Sequence, residues 1–125
     1  MEQYRFPYKS GIYVGIPVKE NPEQWLMEVQ MVLEHPKQGD LHQPKKTNVP
    51  IFHERRALAE KEKIWVQKKA VKPIDTVPDM TYKESLRQAF NAYEQELESK
   101  EDEFSQKSLK TLRDVKTDYE RQKLL

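Results

Sequence analysis

The chain of 125 residues has no cysteine, which removes disulfides, thiolate metal sites and cysteine nucleophiles and leaves the redox compartment unread. Glycine is scarce at three residues, and "GIYVG" makes neither a GxGxxG nor a Walker loop that would cradle a phosphate. An excess of one charge is also missing. Lys and Arg number 22 against 21 Asp and Glu, a net charge of +1, whereas a dedicated nucleic-acid binder gathers a basic excess on one face. The longest apolar stretch, "GIYVGIPV" from Gly11 to Val18, falls far short of the ~20 residues that span a bilayer. The start "MEQYRFPYKSG" resembles no cleaved leader, so the expectation is a cytosolic protein or one imported without a leader.

Catalytic and metal-binding signals are equally sparse. His35, His42 and His53 show no ligand spacing, and "HERRA" places Ala57 where HExxH needs its second histidine. Carboxylates in "YEQELESKEDEF" read as a solvated helix face interleaved with Lys. No catalytic constellation, metal site or cofactor site emerges, and an enzyme is the least expected class.

What is present is a chain 36% hydrophobic and 34% charged, too polar for a large self-contained core. Residues 1–20 carry Tyr4, Phe6, Tyr8 and Tyr13 among prolines and glycines and read as an extended arm that orders against a partner. In "NPEQWLMEVQMVLEHP", Asn21 stands as a cap, Pro22 as a first helical residue and Pro36 as a stop, predicting a helix over about residues 22–35 around Trp25 and Leu26. A second helix is expected over about 50–71, anchored by Phe52, Leu58 and Trp65. Thr81 with Glu84 forms a capping box, opening a helix expected to run to 125 on the seam Leu86, Phe90, Tyr93, Leu97 and Phe104. The fold class expected is therefore all-α and non-globular: an arm (1–20), a two-helix segment (21–80) and one long helix (81–125).

Several fragments resemble the PDSW family of accessory subunits of mitochondrial respiratory complex I. They are Pro17-Val18 followed by Asn21-Pro22; Phe52 with Glu54 and Arg55; the turn Val77, Pro78, Asp79, Met80, Thr81; and Tyr93, Glu94, Glu96, Lys100 and Asp102. The cysteines typical of that family are missing. The resemblance implies a non-catalytic structural subunit without cofactor, nucleic acid or small-molecule substrate. It would be peripheral to the mitochondrial inner membrane on the intermembrane-space face, with other membrane-arm subunits as partners. Interface residues would be Tyr4, Phe6, Tyr13, Trp25, Leu26, Phe52, Trp65, Leu86, Phe90, Tyr93, Leu97 and Phe104. Other readings are a scaffold of ciliary microtubules, a mitochondrial ribosomal protein, or a coiled-coil adaptor pairing through residues 86–104.

Overall fold

Alternation of side chains organises the first half of the chain. In the computed structural model, which describes residues 2–39, 47 and 52–125, strand β1 (Tyr4–Tyr8) pairs antiparallel with β2 (Gly11–Glu20). Lys9 and Ser10 form the turn between them with φ of 43° and 69°, the double positive φ of a type I′ hairpin. β2 pairs in turn with β3 (Gln24–Glu34), with irregularities between Ile12 and Tyr13, Val14 and Gly15, and Pro17 and Lys19. β4 (Lys63–Gln67) adds to the far side of β3. A 3-10 turn (Lys68–Ala70) then leads to β5 (Lys72–Pro73), which pairs with β1. The strand order is β4-β3-β2-β1-β5.

That order forces curvature. β4 and β5 lie on opposite edges, yet the chain leaves Gln67 and re-enters at Lys72, a link whose steps reach at most about 18 Å when fully extended. Four strand spacings of a flat sheet add to about 19 Å, and the 3-10 turn shortens the reach further. The sheet is therefore curled toward a half-closed barrel.

The all-α expectation is overturned here, and each misread signal has a physical cause. Asn21 does cap, but it caps a turn: its Oδ1 accepts from the Glu23 and Gln24 amides at 3.0 and 2.8 Å, and its own amide donates to the Gln24 carbonyl at 3.0 Å. This closes the β2–β3 hairpin and starts no helix, because Asx turns and helix caps share the same local chemistry. The apolar run from Trp25 to Leu33 belongs to a strand with neighbours on both sides and side chains packed on both faces, a pattern that periodicity alone does not separate from a buried helix. The N-terminal arm is likewise a hairpin ordered by its own chain. The helix expected over 50–71 is replaced by an extended segment over 52–60, β4 and the 3-10 turn.

The C-terminal helix exists but is broken into α1 (Tyr82–Glu98) and α2 (Glu103–Arg121). Thr81 and Glu84 form the expected capping box. No proline or glycine ends α1. Instead Asp102 starts a new helix, its Oδ2 accepting from the Ser105 amide at 2.9 Å and its Oδ1 from the Ser105 hydroxyl at 2.8 Å. Folding α2 back lets two narrow stripes bury each other, whereas one straight helix would leave both in water.

The core joins one face of the sheet to both helices: Phe6, Tyr13, Met27, Val29, Val32 and Val66 pack with Leu86, Phe90, Tyr93, Leu97, Leu112, Val115 and Tyr119. Each such side chain contributes about 1.5–3 kcal/mol on burial. The Ser85 hydroxyl accepts from the Val32 amide at 2.9 Å and so fixes α1 against β3. No helix among the described residues is long and apolar enough to cross a membrane.

Candidate functional site

Residues 52–60 have no regular secondary structure, yet they are held along their length. The Gln38 side chain acts as a surrogate strand partner, its Oε1 accepting from the Arg55 amide at 2.8 Å and its Nε2 donating to the Arg55 carbonyl at 2.9 Å. The Gly39 amide donates to the His53 carbonyl at 2.9 Å. Tyrosine hydroxyls from the sheet and from each helix finish the task. Tyr119 accepts from the Ala57 amide at 2.8 Å and Tyr13 from the Leu58 amide at 3.2 Å, while Tyr82 donates to the Leu58 carbonyl. Tyr93 accepts from the Gln38 amide at 2.9 Å. A segment without its own ladder thus has the Arg55, Ala57 and Leu58 backbone groups partnered by side chains of the sheet and helices.

His35 lies at the centre of these pins, its ring 5.6 to 5.8 Å from those of Phe90, Tyr93 and Tyr119. Its Nδ1 is 2.8 Å from the Pro36 carbonyl, which can only accept, so Nδ1 carries the proton. Nε2, 2.8 Å from the Tyr119 hydroxyl, then accepts. Burial lowers the His35 pKa from 6.5 to about 4, against the raising effect of the Pro36 bond. Burial also raises the tyrosines: Tyr13 and Tyr119 to about 12, with Tyr82 and Tyr93 raised as well. These phenols and the imidazole are neutral near pH 7 and already partnered, which suits them to holding the segment rather than to transferring protons. Among the described residues no cluster of His, Cys, Asp and Glu is arranged to hold a metal ion.

This strap and the β1–β2 turn frame a cleft of about 250 Å³ lined by Tyr8, Lys9, Tyr13, Pro36, Glu54, Arg55, Arg56 and Leu58. The Ser10 hydroxyl accepts from the Lys37 amide at 2.9 Å and ties the turn to the residues that follow His35. Arg56 is bonded to Glu54 at 2.7 Å and to Asp118. The Arg55 Nη2 donates to the Gly39 carbonyl at 3.0 Å, which fixes the guanidinium plane.

Of the residues expected at an interface, Phe6, Tyr13, Leu86, Phe90, Tyr93 and Leu97 are buried in the chain's own core, and Tyr4 and Trp25 pack partly against it. Phe52 and Phe104 meet each other at 5.7 Å. Leu26 lies half-buried beside Trp65, its cross-strand partner, and Trp65 is 40% exposed. Lys9, Ser10, Arg55 and Arg56 were not singled out by sequence reasoning as site residues. The one available signal was a pair of alternating runs, "YRFPY" and "GIYVG", separated by two residues. His42 lies outside the described residues.

Fold and cleft together define a small mixed α/β domain: a curled five-stranded sheet braced by a helical hairpin. The comparisons identify its family. Residues 8–120 match the model of KapB, Kinase associated protein B, and the chain belongs to that family. It is 42% identical over 113 residues, 90% of this chain and 87% of the relative, to Kinase-associated lipoprotein B of Bacillus subtilis (strain 168). It is also similar to the crystal structure of kinase-associated protein B from Bacillus cereus, with a TM-score of 0.78 and 28% identity over 95% of this chain and 94% of that one.

Family membership overturns the complex I reading, with its mitochondrial location, membrane-arm partners and accessory-subunit role, and equally the ciliary and ribosomal alternatives. The PDSW resemblance rested on short fragments read as helix ends. Two of them lie in the β2–β3 hairpin and the extended segment over 52–60.

Proposed function

We propose that the chain is a non-catalytic protein that associates with a kinase and docks through the outer face of its sheet around Trp65. The observation that carries this reading is the 42% identity to Kinase-associated lipoprotein B. The surface supports it. Trp65 is 40% exposed on edge strand β4, with Leu26 half-buried beside it and Val18, 43% exposed, at the irregularity of the next strand. Tryptophan is the side chain most enriched among residues that dominate interface energies. Lys61 just before this strand and Lys63 at its first position discourage unspecific edge pairing.

The test is surface plasmon resonance of the chain against purified kinases of Bacillus subtilis, presented one at a time. Saturable binding to one of them is expected, with Trp65→Ala weakening it by at least about tenfold, or roughly 1.4 kcal/mol. Failure of every kinase to bind, or an ATP-consuming activity of the chain alone, overturns the reading.

A further inference from the structure

The cleft between the β1–β2 turn and the strap is built differently from the Trp65 surface. We propose that it is an oxyanion site that takes a phosphoryl group. The first argument is charge. Three cations, Lys9, Arg55 and Arg56, line it against one carboxylate, Glu54. Arg56 spends its charge on Glu54 and Asp118. Lys9 and Arg55 have no carboxylate within ion-pair distance among the described residues. With Asp118 counted, the group carries a net charge of +1, and Lys9 and Arg55 are the cations left to meet an anion.

Hydrogen bonding gives the second argument. The Arg55 Nε is buried and has no hydrogen-bond partner among the described residues, although leaving a buried donor unpaired is costly. The Gly39 carbonyl accepts from Nη2 of the same guanidinium. Arginine in such a setting matches the paired oxygens of a phosphoryl group.

The third argument is backbone. Lys9 has a φ of 43°, a conformation that glycine or asparagine adopts more readily. The turn places Lys9 beside the cleft, its ammonium 5.3 Å from the centroid of the Tyr8 ring that also lines it. Size narrows the ligand: about 250 Å³ lies below the ~300–1,000 Å³ of small-molecule pockets. The cleft has room for a tetrahedral oxyanion.

The experiment is an amide NMR titration of the full chain with inorganic phosphate at constant ionic strength, with acetate as the parallel arm. Saturable shifts confined to residues 8–10, 37 and 54–58 are expected with phosphate, at least about threefold tighter than with acetate. Lys9→Gln alters an exposed side chain; it should weaken phosphate binding at least threefold and leave the melting temperature in place. Arg55→Lys should abolish saturation. Should Arg55→Lys not fold, the Lys9 variant still decides. Shifts that do not saturate, that match those of sodium chloride, that are equally tight with acetate, or that ignore Lys9→Gln overturn the proposal. Trp65→Ala should bind phosphate like the parent, so this site stands or falls apart from the kinase-docking reading.

Discussion

Tyr119 and His35 meet at 2.8 Å, the phenol donating to Nε2 while its oxygen accepts from the Ala57 amide at the same distance. One hydroxyl thereby joins the last helix, the end of β3 and the strap. Tyr119→Phe removes both bonds and leaves the Ala57 amide and an imidazole nitrogen unpaired. A loss of about 1–3 kcal/mol is expected, read as a lower urea midpoint at unchanged slope. A loss below about 0.5 kcal/mol would show that the pin is dispensable.

The same contact makes stability depend on pH. His35 titrates near 4 in the folded chain, below the 6.5 of a free histidine, so the unfolded state takes up its proton first as the pH falls. The stabilisation is complete above about pH 6.5, declines below it, and is gone near pH 4. Its full size is about 3 kcal/mol. His35→Gln should be less stable than the parent at pH 7.5, with the gap closing as the pH approaches 4. A gap independent of pH would show that His35 does not titrate across this range.

Gly15 sits where β2 crosses between Phe6 and β3. A Cβ there would lie 2.6 Å from the Glu28 carbonyl oxygen and 2.8 Å from Phe6 Cε1. The first neighbour is backbone and cannot swing aside. Gly15→Ala is expected to cost about 1–3 kcal/mol through overpacking, measured by thermal unfolding, whereas a neutral result would mean that the sheet yields there.

The β1–β2 turn offers the opposite outcome. Lys9→Asn supplies a residue suited to positive φ and should stabilise the hairpin by about 0.5–1 kcal/mol. A stabilised variant that also loses phosphate affinity would show that the lysine is kept there for its charge.

Legibility in the sequence followed the range of the forces involved. The start of α1 depends on Thr81 and Glu84, three residues apart, and was readable; so was the seam of Leu86, Phe90, Tyr93 and Leu97, which is core. Asn21 reads as a capping residue, but whether an Asx motif opens a helix or closes a hairpin depends on neighbouring strands, which its local sequence does not carry. β3 owes its nature to β2 and β4, and β4 lies some 40 residues downstream. The cleft was the least readable feature. Lys9 and Arg55 lie far apart in the chain, and only a helix-borne Tyr119 and the Gln38 side chain keep the strap in place beside the turn.

The pairing of Tyr4 with Pro73 sets a timetable for the newborn chain. At roughly 5–20 residues per second, the first strand emerges some 3 to 14 s before the partner that completes its edge. β2 follows at once and occupies one side, so a half-finished hairpin waits with its other side bare. Pro7 lies just beyond the two residues that β5 eventually reaches, and a proline there withholds a backbone donor from any passing strand. A residue that looks like an interruption in the finished sheet thus acts as a guard during synthesis, when the ribosome-bound chain is most open to mispairing.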